Sequence, residues 1–559
     1  MKRKSLALLL SLLTILNLVS CKNNAEESEI LYEDIEVSPK IEASIDDSTK
    51  QSNKEEKQEK VDKISLYESK YEEAGIRKES LELIEDIINS DIENGFTSTQ
   101  IAVMKDGELV FEDSFGLLNS YDQNGQRLTG GDMVTSDTMY DLASISKMIG
   151  VNYPLQKLFS EGKISLDDKV TDYLGDEFVD DTIFIAYEGG EAKDLETIKT
   201  WKKNLTIKQL LLHRGGFPAS PKYFNPYVDQ TKQEYNPEME NELFSSYAGD
   251  EAAKEATIKA INKTPLMYEP GTKTVYSDVD YMILGVIVEK VSGKSLDQYL
   301  KDEFAGPLGL TRVTYNPLQN GFTQEDCAAT ELNGNTRDGY VNFEGIRKYT
   351  IWGEVHDETA YYCMGGVSGH AGIFASATDL AKLGNLMIDG SYAGKTYFTK
   401  EAIDTFLSSE YSGDNTWGLG WWKQGSQKRA KYFGSLCSSN TFGHQGWTGT
   451  LLMVDPEERL VIALLTNKIN SPVTDIEANP NKFDGNWYTT AGLGFAPEII
   501  YTGMGTDEDI TDTLLEFCDK LITEAEGKVK DSYDEDHPAR LNLKSKKEVY
   551  EKASIRWNK

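Results

Sequence analysis

The sequence predicts an α+β fold in which strands from both ends of the chain form an antiparallel sheet flanked by helices. Two β-hairpin patterns support this prediction, one at residues 100–111 with a tight turn at Asp106-Gly107, and one at residues 451–465. The third observation is that the long stretch between the hairpins has mostly helical periodicity. The sheet must therefore pair segments that lie far apart in the sequence.

Helices are predicted before, between and after the hairpins. The first ends at Gly95 and has apolar residues at helical spacing: Leu81, Ile84, Ile88 and Ile92. Two more are predicted at residues 278–291 and at residues 376–387, the second with Ser376 as its N-terminal cap. An acidic helix with apolar residues at positions 510, 514, 517 and 521 is predicted in the C-terminal tail.

Composition limits the partners that the chain can have. Of 559 residues, 39% are hydrophobic, which is enough for a large core. The 58 Lys and Arg residues face 92 Asp and Glu residues, giving a formal net charge of −34. No nucleic acid is expected as a partner, because phosphate binding requires clustered cations. The acidity is also unfavourable for strongly anionic substrates.

A lipoprotein signal peptide is predicted at residues 1–20. Three cations at residues 2–4 precede an apolar run at residues 6–19, which is too short to span a membrane. The run ends in Leu-Val-Ser-Cys, which resembles a bacterial lipobox, so Cys21 is the predicted lipid-attachment residue. The alternative is an ordinary secretory signal with a chance cysteine. The predicted localisation is the cell envelope, outside the cytoplasm, with a lipid anchor in the membrane.

Three further regions follow the signal. Residues 21–75 are predicted to be a lipid-anchored, disordered tether, because they are rich in Glu, Lys, Ser and Asn and show no hydrophobic period. Residues 76–500 are predicted to form one folded domain. Residues 501–559 are predicted to be a helical tail of mixed charge.

No metal site and no cofactor are predicted. The five cysteines include no C-x-x-C pair and the five histidines include no H-E-x-x-H motif. Adjacent acids such as Asp167-Asp168 could suggest a glycosidase, but such pairs are expected by chance among 92 acids. Whether any cysteines form disulfides stays open.

The clearest chemical pattern is the S-x-x-K pair of Ser144 and Lys147, in the string that begins at Tyr140. A spacing of three puts amine and hydroxyl on one face of a helix. The pairing matters because a serine hydroxyl is a weak nucleophile without a neighbouring base. A second S-x-x-K occurs at Ser160 and Lys163, but a glycine there ends an apolar helix, so Ser160 is interpreted as structural.

Three motifs in order resemble the serine β-lactamase/penicillin-binding-protein superfamily, in the branch of class C enzymes and related esterases. They are the nucleophile segment at residues 140–147, Tyr276-Ser277-Asp278 at the family's Y-x-N position, and His444-Gln445-Gly446 at its K/H-x-G position. Longer strings at residues 355–360, 365–372 and 442–450 resemble penicillin-binding proteins of the 4B type. The resemblance covers about residues 76–500 and excludes the tether and the tail.

The resemblance implies a β-lactamase/transpeptidase-like fold with an all-helical subdomain, and a serine hydrolase that works through an acyl-enzyme. Ser144 would attack a carbonyl, Lys147 would take part in deprotonating it, and Tyr276 would relay the proton to the leaving group. Which of Lys147 and Tyr276 is the base stays open. The oxyanion hole would use backbone N–H groups of Ser144 and of Trp447, which follows Gly446.

Two residues depart from the family pattern. Asp278 stands where many relatives have Asn, and an ionised carboxylate only accepts hydrogen bonds, so it would hold a substrate amide N–H but repel a carboxylate. His444 stands where Lys is usual, and at an ordinary pKa of ~6.5 it is mostly neutral at pH 7, which makes a weaker anchor for a substrate carboxylate. His370 belongs to a competing H-x-G and is interpreted as ordering its loop. His213 is interpreted as structural.

The expected function is that of an exported, lipid-anchored hydrolase resembling D-alanyl-D-alanine carboxypeptidases. Its expected partners are a peptidoglycan stem peptide or a related amide or ester, β-lactams as possible acylating ligands, and the membrane through the lipid anchor. An esterase or a weak β-lactamase of the same fold is the first alternative. The second is a protein that binds penicillin or wall peptide without turnover.

Overall fold

The structure is a computed structural model that describes residues 62–392, 394–413, 415–505, 510–529 and 533–557. The predicted signal peptide, Cys21 and most of the predicted tether lie outside the described residues. Within the described ranges, no helix is both long and apolar enough to cross a membrane.

The centre of the fold is a six-stranded antiparallel sheet in the order β10-β11-β12-β13-β1-β2. A second, three-stranded sheet has the order β3-β7-β6, and β4-β5 and β8-β9 are two-stranded. The strands are β1 Ser98–Lys105, β2 Glu108–Gly116, β3 Tyr140–Asp141, β4 Tyr227–Asp229, β5 Glu234–Glu240, β6 Val313–Tyr315, β7 Ile373–Ala375, β8 Ser391–Tyr392, β9 Lys395–Thr396, β10 Trp422–Lys423, β11 Phe442–Gly446, β12 Thr450–Asp455 and β13 Leu460–Thr466.

Both predicted hairpins are present, and they pair with each other. Strand β1 lies between β2 and β13, with Ala102 opposite Ala463 in an antiparallel register. Strand β12 pairs with β13, which completes the second hairpin. The prediction of an α+β fold, with an antiparallel sheet built from strands near both ends of the chain, is confirmed.

Helices cover both faces of the sheet and form most of the region between its two halves. Those of eight or more residues are α1 Lys78–Glu93, α2 Tyr153–Ser160, α3 Leu195–Lys203, α4 Glu251–Lys263, α5 Asp278–Ser292, α6 Ala377–Asp389, α7 Lys400–Leu407, α8 Phe495–Met504, α9 Ile510–Val529 and α10 Pro538–Trp557. Shorter helices are Lys63–Leu66, Glu68–Glu73, Thr171–Leu174, Glu177–Asp180, Ile207–Leu211, Leu296–Leu300, Gly306–Leu308, Glu358–Met364 and Ala430–Phe433.

The two faces of the sheet contribute to different cores, because side chains alternate along each strand. Leu452 and Val454 pack towards α6 and the helical region, whereas Leu451 and Met453 pack towards α1 and α8. Helix α6 approaches the first face at Gly384, where an added Cβ would lie 2.8 Å from a methyl group of Leu452. The site described below lies on this first face.

The region between the two halves of the six-stranded sheet is not purely helical. It contains the hairpin of β4 and β5, whose second strand is mostly exposed. The prediction of an all-helical subdomain missed this hairpin because a polar, exposed strand has no alternation of apolar residues.

The predicted tether is too long. Residues within its predicted range, 21–75, form the helices Lys63–Leu66 and Glu68–Glu73. Ile64 and Tyr71 are buried in the same core as α1. Each of these short helices buries only one residue, so the sequence shows no helical period of apolar residues there. For this reason the predicted tether extended too far.

The tail is part of the folded unit. The predicted boundary at residue 500 falls inside α8. Helix α10 packs against α1, helix α9 packs against α10 and α8, and buried residues such as Leu514 and Val549 join the same core as α1. Polar contacts add to this packing, since the Ser545 hydroxyl donates to Asp91 over 2.8 Å. The placement of the domain boundary at residue 500 is therefore wrong.

Candidate active site

Ser144 lies on a strained turn that follows strand β3. The turn continues into a 3-10 helix, Ala143–Ile145, and a π-helix, Met148–Asn152. Ala143 has φ of +45°, in the left-handed region that residues with a Cβ seldom adopt. The Asp141 carboxylate holds the turn by accepting the Ala143 N–H over 2.8 Å and the His356 N–H over 2.7 Å.

Lys147 is fully buried beside Ser144. Its Nζ donates to Ser144 Oγ over 3.1 Å and to the His370 carbonyl over 3.1 Å, and it lies 2.9 Å from Asp278 Oδ1. An ammonium group has three protons, so these three acceptors satisfy it. The structure therefore shows Lys147 as a charged donor to the predicted nucleophile.

The electrostatics of the site agree with this geometry. Burial is the largest single influence on Lys147 and lowers its pKa, but Asp278 and Tyr276 together outweigh burial, and the pKa stands above its ordinary value. Burial raises the pKa of Tyr276, and the Asp278 charge raises it further, while the Lys147 charge acts in the opposite direction. Asp278 thus disfavours deprotonation of both candidate bases.

Tyr276 stands over the lysine, with Lys147 Nζ 4.9 Å from the centre of its ring. Its hydroxyl is buried and has no hydrogen-bond partner of normal geometry among the described residues. The ring of His213 stacks against it at 4.3 Å between centroids, and His213 Nδ1 accepts the Ser277 N–H over 3.2 Å. His213 therefore positions the Tyr276 segment, as expected for a structural residue.

The third motif lies on strand β11, beside the nucleophile turn. An added Cβ at Gly446 would lie 2.3 Å from the Leu142 carbonyl oxygen, so only glycine allows this approach. The Thr448 hydroxyl donates to the Asp141 carbonyl over 2.7 Å. These contacts place the Trp447 backbone next to the segment that leads into Ser144.

His444 is buried rather than presented to solvent. Its Nδ1 contacts the Gln445 carbonyl oxygen at 2.7 Å, and its Nε2 has no partner among the described residues. Burial, assisted by the Lys147 charge, lowers the pKa of His444 to about 3. His444 is therefore neutral at physiological pH, as the sequence suggested, and offers a substrate carboxylate no cation.

Trp447 forms the exposed rim of the site and rests on a buried charged cluster. Its ring stacks on His356 at 4.9 Å, and the Arg337 guanidinium lies 5.2 Å from its centre. Both of these side chains contact Glu331, with His356 Nε2 at 2.8 Å from its carboxylate. Arg337 also pairs with Glu358 at 2.9 Å.

His370 orders its loop, as predicted. Its two ring nitrogens lie 2.8 Å from the Ser368 hydroxyl and 2.8 Å from Asp357 Oδ1. The loop in turn presents the His370 carbonyl to Lys147. Ser160, the alternative nucleophile, donates its hydroxyl to the Gln156 carbonyl within helix α2, which agrees with a structural role.

The structure thus brings Ser144, Lys147, Tyr276 and Asp278 together and places Gly446 and Trp447 alongside them. The sequence analysis assigned Asp278 to binding a substrate amide, and it did not predict the ion pair between Asp278 and Lys147. It also assigned no role to Asp141 or to the cluster of Glu331, Arg337 and His356. Asp141 and His356 lie within strings that carried the family resemblance, which is the signal that could have found them. Among the described residues, no group of three His, Cys, Asp or Glu side chains could hold a metal ion.

A serine in hydrogen-bond contact with a buried lysine, at the edge of an antiparallel sheet, is an arrangement typical of serine hydrolases. The family model described as Beta-lactamase matches residues 82–486. The chain therefore belongs to the serine β-lactamase/penicillin-binding-protein superfamily, a family of serine hydrolases.

Relatives and solved structures agree with this family. A "Putative D-alanyl-D-alanine carboxypeptidase" of Escherichia coli K12 is 40% identical over 441 residues, covering 78% of this chain and 94% of the relative. A protein of the same description from Salmonella typhimurium is 39% identical over 432 residues, covering 77% and 92%. A penicillin-binding protein homolog from Caulobacter crescentus has a TM-score of 0.50 at 18% identity, covering 77% of this chain and 98% of its own. EstCE1, a hydrolase with promiscuous acyltransferase activity, has a TM-score of 0.51 at 17% identity, covering 76% and 98%. At these identities the structural likeness concerns the fold alone.

Proposed function

We propose that the chain cleaves the terminal amide bond of wall peptides ending in D-Ala-D-Ala, through an acyl-enzyme on Ser144. The observation that carries this proposal is the contact between Ser144 Oγ and the buried Lys147 ammonium, 3.1 Å apart. The description of the bacterial relatives supports the choice of substrate. No cofactor enters the proposed chemistry.

The proposed reaction has two halves. Ser144 Oγ attacks the carbonyl carbon, its proton passes to Lys147 or Tyr276, and the leaving amine receives a proton as the amide bond breaks. Water then hydrolyses the ester to release the shortened peptide. The backbone N–H groups of Ser144 and Trp447 stabilise the oxyanion, and losing one such donor typically costs about 2.7–4 kcal/mol in the transition state.

The resting state constrains this chemistry. Lys147 uses its three protons on Ser144, His370 and Asp278. A protonated group cannot act as a base, so whichever of Lys147 and Tyr276 serves as the base must first lose a proton. Activity should therefore rise with pH, and the midpoint of that rise should depend on Asp278.

We predict that Asp278→Asn moves the rising limb of the kcat/KM profile to lower pH. The Asp278 carboxylate raises the pKa of Lys147 and of Tyr276, so its removal lowers both. The direction is the same whichever residue is the base. The measurement is kcat/KM for a small neutral p-nitrophenyl ester as a function of pH.

Asp404→Asn is the matched control, because Asp404 is an exposed carboxylate paired with Lys400 in helix α7. It should leave the profile unchanged. A limb that stays in place or moves to higher pH in Asp278→Asn would contradict the assigned role of Asp278.

An esterase is the second candidate function, and His444 is the observation that favours it. A neutral, buried imidazole at the third motif leaves the substrate's terminal carboxylate without a cation there. A neutral ester has no terminal carboxylate and therefore needs no cation at this position. The two functions share the nucleophile and differ in the acyl donor.

Substrate turnover separates the candidates. The purified chain is incubated with a peptide ending in D-Ala-D-Ala and, separately, with a p-nitrophenyl ester and a chromogenic cephalosporin. Release of free D-alanine at a rate that depends on Ser144 supports the carboxypeptidase. Ester turnover without D-alanine release supports the esterase, and labelling by fluorescent penicillin without any turnover supports a binding protein.

We also propose that the chain is exported and anchored to the cell-envelope membrane through a lipid on Cys21. The lipobox-like string at residues 18–21 supports this proposal. Cys21→Ala should move the protein from the membrane fraction to the soluble fraction in fractionated cells. Membrane retention of a processed Cys21→Ala protein would contradict the lipid anchor.

A further inference from the structure

A large cleft adjoins the candidate active site and is walled by the C-terminal helices. Its volume is about 730 Å³. Its lining includes the end of strand β11 and the residue after it, Gln445 to Trp447. Helix α9 also lines it, at Phe517, Lys520 and Lys528. Ser144 and Lys147 do not line the cleft, whereas Gly446 and Trp447 of the candidate active site do.

The charge of the cleft is opposite to that of the whole chain. Five lysines line it, Lys431, Lys468, Lys520, Lys528 and Lys546, against the two acids Glu498 and Glu524. Glu498 is engaged by the Ser435 hydroxyl at 2.7 Å. In a chain of net charge −34, this is a local excess of cations over anions.

Lys468 links the cleft to the active site. Its aliphatic stem lies against the turn after β11, since an added Cβ at Gly449 would be 3.0 Å from its Cγ and Cδ. Burial lowers the pKa of Lys468 to about 8, and no carboxylate pairs with it in the described part of the chain. Lys520 and Lys528 also lack acidic partners among the described residues. These cations are thus available to a ligand.

The size of the cleft indicates which part of a substrate it can hold. A volume of about 730 Å³ is typical of sites for whole ligands, whereas the leaving group of a carboxypeptidase is one amino acid. Strand β10 pairs with Phe442 and Gly443, so among the described strands the rest of β11 has a free edge, and Gln445 and Gly446 of this stretch line the cleft. An extended peptide could pass along that edge into the cleft.

We propose that this cleft binds the anionic arm of the substrate, the peptide segment with free carboxylates that precedes the two terminal residues. This inference rests on the proposed function. It further specifies that the preferred substrate carries negative charge upstream of its two terminal residues. It also reverses the expectation drawn from the net charge, because the field that a substrate meets is set by the residues lining the cleft. The family model matches residues 82–486, so helix α9, which lines the cleft, lies beyond the matched region.

The test is peptide binding to the full chain with Ser144→Ala, which prevents turnover. The first probe is an N-acetylated pentapeptide that ends in D-Ala-D-Ala and has two side-chain carboxylates upstream. The second is the same peptide with those two carboxylates amidated. By calorimetry, the anionic peptide should bind about tenfold more tightly, the effect of one or two charge-assisted contacts. The preference should shrink as salt is raised.

Lys468→Gln and Lys520→Gln, in the same background, should each reduce the preference, and together they should abolish it. Lys400→Gln is the matched control, since Lys400 is an exposed lysine on helix α7 outside the cleft, and it should leave the preference intact. Equal binding of the two peptides, a preference that survives both substitutions, or no binding of either peptide would overturn the inference.

The outcome is distinguishable from failure of the proposed function. If the wild-type chain binds the anionic peptide with the expected preference but releases no D-alanine, the carboxypeptidase proposal fails and the cleft stands. If it releases D-alanine equally from both peptides, the function stands and the cleft inference fails.

Discussion

Ser144→Ala should lower kcat/KM for a small ester by at least about 10⁴-fold, the scale of loss when an enzyme of this kind loses its nucleophile. Ser144 Oγ receives the Lys147 N–H over 3.1 Å, on a turn that Asp141 holds in a strained conformation. Alanine removes the hydroxyl that we propose forms the acyl bond, while the small change in side-chain size should cost the fold little. Ester hydrolysis by the purified variant is the measurement.

Ser160→Ala is the control, because Ser160 and Lys163 form the other S-x-x-K of the chain that the sequence singled out. The Ser160 hydroxyl donates within its own helix to the Gln156 carbonyl over 2.8 Å. Its removal should leave kcat/KM within about twofold, as expected for a part-buried hydrogen bond remote from the reaction. Normal activity in Ser144→Ala together with loss of activity in Ser160→Ala would reverse the assignment of the nucleophile.

Lys147→Met should reduce kcat/KM by about 10³-fold or more, since general-base assistance contributes 10²–10⁴-fold and the site also loses its positive charge. The substitution should in addition destabilise the fold, because it removes the counter-ion that the part-buried Asp278 has among the described residues. Methionine nearly preserves the volume of the buried lysine stem. Ester hydrolysis and urea unfolding measure the two effects.

The double variant Lys147→Met/Asp278→Asn separates catalysis from stability. It removes both charges, and a neutral pair is tolerated better than a single part-buried charge. The urea midpoint should recover towards that of the wild type while kcat/KM stays low. Recovery of activity together with stability would show that Lys147 has a structural role only.

The sequence was most informative where the signal is local. Strands β1 and β2, strands β12 and β13, and the Ser144/Lys147 pair each lie within a short window, so alternation, turn residues and helical spacing predict them. The long helix α5, Asp278–Ser292, follows its predicted bounds closely for the same reason.

The features that the sequence missed depend on contacts between distant segments. The Asp278–Lys147 ion pair joins positions that no periodicity relates, and Glu331 meets His356 only because two loops fold under Trp447. Helices α9 and α10 were predicted to be a tail, since nothing in their sequence indicates that α10 packs on α1 or that α9 packs on α8 and α10. Their packing also brings together lysines that line the cleft, a local cationic site that the net charge of −34 did not predict.

The most direct test of the central claim, an acyl-enzyme on Ser144, is mass spectrometry of the intact protein after incubation with penicillin and with a D-Ala-D-Ala peptide. We predict one acyl adduct per chain, located on the peptide that contains Ser144 and absent from Ser144→Ala. The adduct from the peptide substrate should clear with time as the ester is hydrolysed. Adduct formation on another residue, or turnover that persists in Ser144→Ala, would contradict the claim.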